Sequence, residues 1–223
     1  MILALIPAWN EEARVGAAVR AARSIPGVDA VLVVDDGSTD GTAEEARGAG
    51  ARVLVAPRRL GKGNAVEGAL ERFETPEVLL LLDADLGASA AGAAPILDAV
   101  RGGRADLAIG SLPRNPRHGG LRIVKRLTGR VIRLLSGYRP AEPMSGQRAL
   151  TGTVLEMVRP LAPGFGMEMA MTVDAVRFGF RVVEVPVRLQ HRSTGRDLRG
   201  FLHRARQGLD VLRAAWIRAI RLR

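Results

Sequence analysis

Short apolar runs alternate with segments of helical periodicity along the first half of the chain. The apolar runs are nearly continuous, which is typical of strands buried on both faces of a parallel sheet. We expect these strands at residues 2–6, 30–34, 52–55, 78–82 and 107–109. The segments between them predict helices at residues 11–24, 41–47, 63–73 and 91–101. Such an alternation predicts an α/β fold with a mostly parallel sheet flanked by helices.

The second half of the chain is less regular. Helical periodicity covers residues 120–135 and 168–178, and residues 181–189 alternate like a strand. Pro186 lies within that strand and predicts an edge position, because proline has no N–H to donate to a neighbouring strand. Residues 137–146 contain Gly and Pro and predict a loop.

The last segment, residues 196–223, carries apolar residues at helical spacing among eight arginines and two aspartates. It predicts a basic amphipathic helix that follows a single domain of residues 1–195. Two interpretations of this helix stay open. It lies in a membrane interface, with Trp216 near its end, or it packs on the domain or on a second subunit, as in a homodimer.

Composition and charge narrow the function classes. The 223 residues suffice for one domain with a substantial core. A net charge of +10 favours anionic partners such as phosphorylated substrates, nucleic acid or an acidic membrane face. Aromatic residues make up only 4%, and no basic stripe with interleaved stacking residues is present, which argues against nucleic acid.

Cysteine is absent from the chain, which excludes disulfides, thiolate chemistry and cysteine-ligated metals. No apolar run reaches eighteen residues, and the N-terminus lacks the basic leader of a signal peptide. We therefore expect a cytoplasmic protein. If the C-terminal helix binds lipid, the protein would lie peripherally at the inner face of the membrane.

Carboxylates follow two of the predicted strands at the point where each strand ends. Asp83 and Asp85 come directly after residues 78–82, and Asp36 follows residues 30–34. In parallel sheets, ligands bind outside the carboxyl ends of the strands. Two carboxylates one residue apart suit Mg²⁺ or Mn²⁺, which completes its shell with phosphate oxygens and water. The alternative is that these acids end a strand and cap the next element.

A lysine flanked by glycines, Lys62, opens the predicted helix at residues 63–73. Backbone N–H groups and a cation at such a position suit phosphate. The segment is not a nucleotide-binding P-loop, because the full glycine spacing and the Ser or Thr after the lysine are missing.

Four motifs combine in an order that is typical of one family: PAWNEE at 7–12, VVDDGSTDGT at 33–42, GKGNA at 61–65 and DADL at 83–86. Together they make the chain resemble the family 2 glycosyltransferases, and among them the polyprenyl-phosphate sugar synthases. Two later segments are similar to motifs of that branch, SGQRAL at 145–150 and the segment ending in EVPV at 164–187. The pair His191-Arg192 is similar to one in glucosyl-3-phosphoglycerate synthases.

The resemblance implies the GT-A fold, a nucleotide-diphospho-sugar transferase-like domain with a mixed sheet, and a bound Mg²⁺ or Mn²⁺. It implies that Asp36 holds the base or ribose, that Asp83 faces the ribose or the cation, and that Asp85 binds the cation. His191 would be a third ligand, with Arg192 at the diphosphate. The other residues implied to line the donor site are Pro7, Ala8, Trp9, Glu11 and Lys62.

The resemblance also implies direct displacement with inversion at the sugar carbon. Ser145, Arg148 and Arg114 are implied to hold an anionic acceptor. Glu142 stands where the branch often has Asp, so its role as base or orienting group stays open. Glu168 matches an acidic position of the family; it orients the acceptor loop or complements the positive end of a helix dipole.

We therefore expect an inverting, metal-dependent glycosyltransferase that moves a hexose from a UDP- or GDP-sugar to a polyprenyl phosphate at the membrane face. The alternative acceptor is a small soluble anion such as 3-phosphoglycerate. Two functions of other classes are a nucleotidyltransferase, which would open with a glycine-rich loop, and a non-catalytic basic module that binds nucleic acid.

Overall fold

The computed structural model describes residues 1–112, 121–164, 166–190 and 213–218. Within these residues, seven strands form one sheet in the order β3-β2-β1-β4-β6-β5-β7. The sheet is parallel except for β6, which runs antiparallel to both of its neighbours. The strands are β1 (Ile2–Ala8), β2 (Ala30–Asp35), β3 (Arg52–Val55), β4 (Val78–Leu81), β5 (Leu107–Ser111), β6 (Arg148–Thr151) and β7 (Val182–Pro186). The α/β architecture and the mostly parallel mixed sheet are confirmed.

Helices cover both faces of the sheet, as the alternating pattern predicts. A 3₁₀ segment at Ala84–Ala93, interrupted at Gly87, leads into the fourth α-helix and takes part of the helix expected at 91–101. The α-helices are α1 (Glu12–Arg23), α2 (Thr42–Gly48), α3 (Lys62–Leu70), α4 (Ala94–Arg101), α5 (Leu121–Ser136), α6 (Gly152–Val158) and α7 (Gly166–Arg177).

The leucines at positions 79–82, in β4 and directly after it, show why the apolar strands are continuous. Leu79 and Leu81 pack into the core under α3, α6 and α7, whereas Leu80 and Leu82 pack into the core under α1 and α4. Successive side chains of a strand point to opposite faces, so a strand with helices on both sides buries every residue. Complete burial of each leucine contributes about 1.5–3 kcal/mol before entropy is considered.

Strand β6 is the main departure from the expected fold. The loop expected at 137–146 is confirmed, but the residues after it pair with β4 and β5, with Leu150 opposite both Leu79 and Leu107. Four residues are too few to show a period, and the pairing depends on strands far away in the chain. Strand β7 lies at the edge of the sheet, as Pro186 predicts.

Residues 213–218 are helical and pack on the domain beside α5 and α7. Ala214 is buried there, and Arg218 donates two hydrogen bonds to Asp174 of α7, at 3.0 and 2.9 Å. Arg177 donates to the carbonyl oxygens of Leu135 and Arg218. This part of the predicted C-terminal helix therefore contacts protein. The rest of residues 196–223, and the boundary after residue 195, lie outside the described residues.

Trp216 points away from this packed face and is 67% exposed. No helix within the described ranges has the length and apolar content needed to span a bilayer.

Candidate active site at the carboxyl ends of the strands

Three neighbouring parallel strands bring the polar motifs to one edge of the sheet. Ala8 of β1 pairs with Asp35 of β2, and Leu5 of β1 pairs with Leu81 of β4. The segments that follow β1, β2 and β4 therefore leave the sheet side by side. This edge lies outside the carboxyl ends of the strands, where ligands bind in parallel sheets.

The segment after β1 is tied to the turn after β2. Asn10 has a positive φ of 54° and accepts a hydrogen bond from the N–H of Thr39 at 2.9 Å. Its own N–H donates to Ser38 Oγ, and the N–H of Glu11 donates to Thr42 Oγ1, both at 2.9 Å. These bonds hold the loop before α1 and the turn before α2 together. The side chain of Glu11 is partly exposed at that loop.

The residues predicted to line a base pocket differ in exposure. Ala8 is buried in the core, and its carbonyl oxygen accepts a hydrogen bond from the N–H of Asp36 at 2.8 Å. Pro7 is partly buried near the end of β1, and Trp9 is 40% exposed. Trp9 is therefore the aromatic residue of this motif that a ligand can reach.

Arg59 stacks on Trp9, a contact that the sequence did not predict. The guanidinium carbon of Arg59 lies 3.4 Å from the centroid of the Trp9 ring. A cation over an indole face is attracted by the electron-rich ring. An arginine near a tryptophan in space leaves no local sequence signal, because the two residues are fifty positions apart.

Asp36 anchors the loop that carries Arg59. Its carboxylate oxygens accept hydrogen bonds from the N–H groups of Leu60 at 2.6 Å and Gly61 at 2.9 Å. Gly37, at φ 68°, is needed beneath this loop, because an added Cβ would overlap the backbone of Arg58 and Arg59. Asp36 is buried, so it organises the edge of the predicted nucleoside site from below.

Lys62 joins two carboxylates that come from distant parts of the chain. Its ammonium nitrogen lies 2.6 Å from Asp83 Oδ1 and 2.7 Å from Glu168 Oε1. Gln147 donates to the other oxygen of Asp83 at 2.6 Å. The packing is tight, since a Cβ on Gly146 would overlap Asp83 and Lys62. These four polar side chains link α3, β4, β6 and α7.

Charge dominates this cluster. Burial alone would lower the pKa of Lys62, but the carboxylates of Asp83 and Glu168 outweigh burial and raise the pKa well above its usual 10.5. Lys62 is therefore a permanent cation at neutral pH. Its side chain is 18% exposed and that of Glu168 is 6% exposed.

Asp83 and Asp85 suit a divalent cation whose coordination shell is completed by a substrate. Asp85 is partly exposed at the start of the 3₁₀ segment, and its carbonyl oxygen accepts a hydrogen bond from Arg14 at 3.1 Å. Among the described residues, no group of three or more His, Asp or Glu side chains is arranged to hold a metal alone. Carboxylates plus phosphate oxygens and water form the shell that Mg²⁺ prefers. His191 and Arg192 lie outside the described residues, so their predicted roles stay predictions.

The loop between α5 and β6 is held by charge and hydrogen bonds. Glu142 lies 2.7 Å from the ammonium of Lys125 in α5. Glu184 of β7 accepts the N–H groups of Ala141 and Glu142 at 2.8 and 3.1 Å. Ser145, predicted to contact an acceptor, is partly exposed. Arg114, the third predicted acceptor contact besides Arg148, lies outside the described residues.

Arg148 lies in the interior of the protein. The prediction that it contacts the acceptor is therefore not met in this structure. Arg148 is fully buried; its Nε donates to the carbonyl oxygen of Ser145 and its Nη1 to Thr172 Oγ1, both at 2.8 Å. Burial lowers its pKa to about 10, although Glu168 and Glu184 oppose that shift. Arg148 therefore fastens the loop end to α7. The difference arises because β6 turns its first side chain toward α7.

The structure brings together Trp9, Asp36, Lys62, Asp83 and Glu168 along one edge. Four participants were missed by sequence reasoning: Arg59, Lys125, Gln147 and Glu184. Gln147 belongs to the SGQRAL segment at 145–150, which resembles a motif of the polyprenyl-phosphate sugar synthases.

Comparisons with known proteins agree with this geometry. The family model "Glycosyl transferase family 2" matches residues 4–152. Glycosyltransferase AglJ of Haloferax volcanii is 33% identical over 197 residues, which cover 86% of this chain and 64% of that protein. Polyprenol monophosphomannose synthase of Mycolicibacterium smegmatis is 32% identical over 212 residues, which cover 86% of this chain and 78% of that protein.

A solved structure matches nearly the whole chain. It is glucosyl-3-phosphoglycerate synthase from Mycobacterium tuberculosis in complex with Mn²⁺, uridine diphosphate and phosphoglyceric acid. The TM-score is 0.79 at 26% identity, and the match covers 98% of this chain and 78% of that chain.

Proposed function

This chain belongs to glycosyl transferase family 2, and from that we propose that it transfers a hexosyl group from a UDP- or GDP-sugar to a polyprenyl phosphate, with inversion. The observation that carries the proposal is the Trp9–Asp36–Lys62–Asp83 edge. It combines a partly exposed aromatic ring, anchored loops and carboxylates where three parallel strands end. These are the features that a nucleotide, its ribose and a metal-bound diphosphate require.

The protein groups divide the work of donor binding. Trp9 offers a face for the base, and Asp36 keeps the loop at Leu60 and Gly61 in place beside it. Asp83 and Asp85 would hold Mg²⁺ or Mn²⁺. When bound, that cation supplies Lewis-acid stabilisation of the negative charge that develops on the diphosphate leaving group.

The acceptor determines whether a general base is needed. A phosphate oxygen is already ionised at neutral pH and can attack the sugar carbon without losing a proton in the same step. A hydroxyl acceptor requires a carboxylate to take its proton. Glu142 is paired with Lys125 and linked to Glu184 through the loop backbone, an arrangement that suits a loop-orienting role.

A surface beside this loop supports a lipid-linked acceptor. Leu134 of α5 is 85% exposed, and Trp216 on the neighbouring helical segment is 67% exposed. Arg126, Arg130 and Arg133 of α5 are also exposed. Exposed apolar side chains among arginines suit the interface of an anionic membrane, where each basic residue contributes about 1 kcal/mol. The name of the mycolicibacterial relative, a polyprenol monophosphomannose synthase, agrees with this acceptor class.

A second candidate is transfer to a small phosphorylated acid. It is favoured by the likeness over 98% of the chain to a structure solved with phosphoglyceric acid. The donor site would be unchanged, and the acceptor would be a hydroxyl.

A thermal-shift panel tests the donor assignment. UDP, GDP and their hexose conjugates are added with and without Mn²⁺, because a ligand that binds only the folded state raises the melting temperature. We expect one nucleotide series to stabilise the protein in a Mn²⁺-dependent manner. Asp85→Ala should abolish the Mn²⁺-dependent part and leave the melting temperature of the free protein unchanged. An identical shift in this variant would refute the assigned site.

Radiolabelled transfer then assigns the acceptor. The stabilising sugar nucleotide is incubated with a short-chain polyprenyl phosphate in detergent or with 3-phosphoglycerate. The proposal expects label in the lipid phase. Label that appears only in the phosphoglycerate product would refute transfer to a polyprenyl phosphate and support the second candidate.

A further inference from the structure

Lys62 already occupies the position between two carboxylates at the predicted cation site. Its ammonium is 2.6 Å from Asp83 and 2.7 Å from Glu168, and it leaves the backbone at the first residue of α3. Gly61, at φ 87°, precedes it, and Gly63 packs directly against Ala162. The closely packed backbone at the start of α3 therefore fixes the ammonium of Lys62 between Asp83 and Glu168.

The ammonium of Lys62 lowers the attraction of this site for a divalent cation that binds alone. Asp83 accepts hydrogen bonds on both oxygens, from Lys62 and Gln147, and Glu168 shares the same ammonium. A metal ion arriving alone would have to displace this cation or accept repulsion from it. When a metal ion binds together with a diphosphate, the diphosphate supplies negative charge and oxygen ligands. These offset the repulsion from Lys62 and replace the carboxylate oxygens that Lys62 occupies.

We propose that Lys62 is a positioning residue that makes binding of the divalent cation depend on the donor diphosphate. This inference rests on the proposed function. In the free protein, Lys62 pairs with both Asp83 and Glu168 and offsets one of their two negative charges, which keeps the affinity for Mg²⁺ or Mn²⁺ low. With the sugar nucleotide present, the added phosphate charge makes cation binding favourable beside Asp85.

The arrangement has a consequence for the reaction. Glu168 lies on α7, next to the buried Arg148–Thr172 contact that fastens the acceptor-side loop. Through Lys62, the end of β4 and the start of α7 share one ion pair. Lys62 thus links the donor side and the acceptor side of the edge, beside the hydrogen bond from Gln147 to Asp83.

The test measures Mn²⁺ binding without catalysis. Free Mn²⁺ is quantified by its electron paramagnetic resonance signal during titration of the full chain, without nucleotide, with UDP and with GDP. The wild type should bind Mn²⁺ weakly alone and more tightly with one of the two nucleotides. Lys62→Met and Lys62→Gln remove the charge, and either one should raise the affinity for Mn²⁺ alone by about tenfold or more, reducing the enhancement by that nucleotide. Lys62→Arg keeps the charge and should behave like the wild type.

Second-site variants separate this role from a structural one. In the Lys62→Met/Glu168→Gln double variant, the gain in Mn²⁺ affinity should shrink, because one released carboxylate is gone. A folded Lys62→Met or Lys62→Gln protein whose Mn²⁺ affinity without UDP equals that of the wild type overturns the inference. The proposed function fails by a different result: a wild-type protein whose Mn²⁺ binding is unaffected by UDP or GDP.

Discussion

The guanidinium of Arg59 covers the ring of Trp9, with 3.4 Å between the guanidinium carbon and the ring centroid. The two residues belong to different loops, which the carboxylate of Asp36 and the bonds of Asn10 keep in place. A base that enters beside Trp9 must share this stack or displace the arginine. Nucleotide binding should therefore change the fluorescence of Trp9.

Trp9→Ala should weaken the affinity for the preferred nucleotide by about tenfold, within the 1–3 kcal/mol that base–aromatic stacking contributes. The chain has two tryptophans, so Trp216→Phe leaves Trp9 as the single indole reporter. In that background, titration with nucleotide and Mn²⁺ should change the emission. The exposed neighbour Arg58→Ala is the control and should leave the affinity unaltered. Equal affinities for Trp9→Ala and the parent would exclude stacking.

Glu142→Gln distinguishes the two acceptor classes. If the acceptor is a phosphate, no proton has to be removed, and the turnover number should fall by no more than a few-fold. If the acceptor is a hydroxyl and Glu142 is the base, turnover should fall by about 10²–10⁴-fold. We expect the small effect, measured in the radiolabelled transfer assay. Lys125→Met is the companion variant, because it removes the partner of Glu142 and leaves the carboxylate present.

Membrane contact should depend on the apolar residues of the surface formed by α5 and residues 213–218. The Leu134→Ser/Trp216→Ser protein should co-sediment less with vesicles rich in phosphatidylglycerol than the wild type does. Both side chains are largely exposed, so the free energy of unfolding should change by less than about 0.5 kcal/mol. Phe178→Ser removes another exposed apolar side chain, at the end of α7, and serves as the control. Equal sedimentation of all three proteins would remove this surface from the proposal.

Two glycines of α3 should respond in opposite directions to alanine. A Cβ on Gly63 would overlap the carbonyl oxygen of Ala162, so Gly63→Ala should cost about 1–3 kcal/mol and displace the adjacent Lys62. Gly68 has open space around the added atom, so Gly68→Ala should stabilise the helix by about 0.5–1 kcal/mol. Urea unfolding measures both values. Gly63→Ala with wild-type stability would show that the close approach of α3 to Ala162 is not needed.

Most of the sheet was predictable because its signal is local. Leu79 to Leu82 read as a buried strand from their own composition, and the edge position of β7 followed from Pro186 alone. Strand β6 was not predictable in the same way. Its four residues are a strand because β4 and β5 lie on either side of them, and neither neighbour is adjacent in the chain.

The same distinction between local and long-range information applies to the site residues. Residue type, spacing and the family resemblance were enough to predict that Trp9, Asp36, Lys62 and Asp83 lie at one edge, since parallel strands end together. The partner of each charge was settled by packing. Lys62 meets Glu168, more than a hundred residues away, and Arg148 turns inward to Thr172, because α7 lies against that face of the sheet. Hydrogen bonds and ion pairs act over about 3 Å, so they depend on coordinates that no pattern of neighbours along the chain contains.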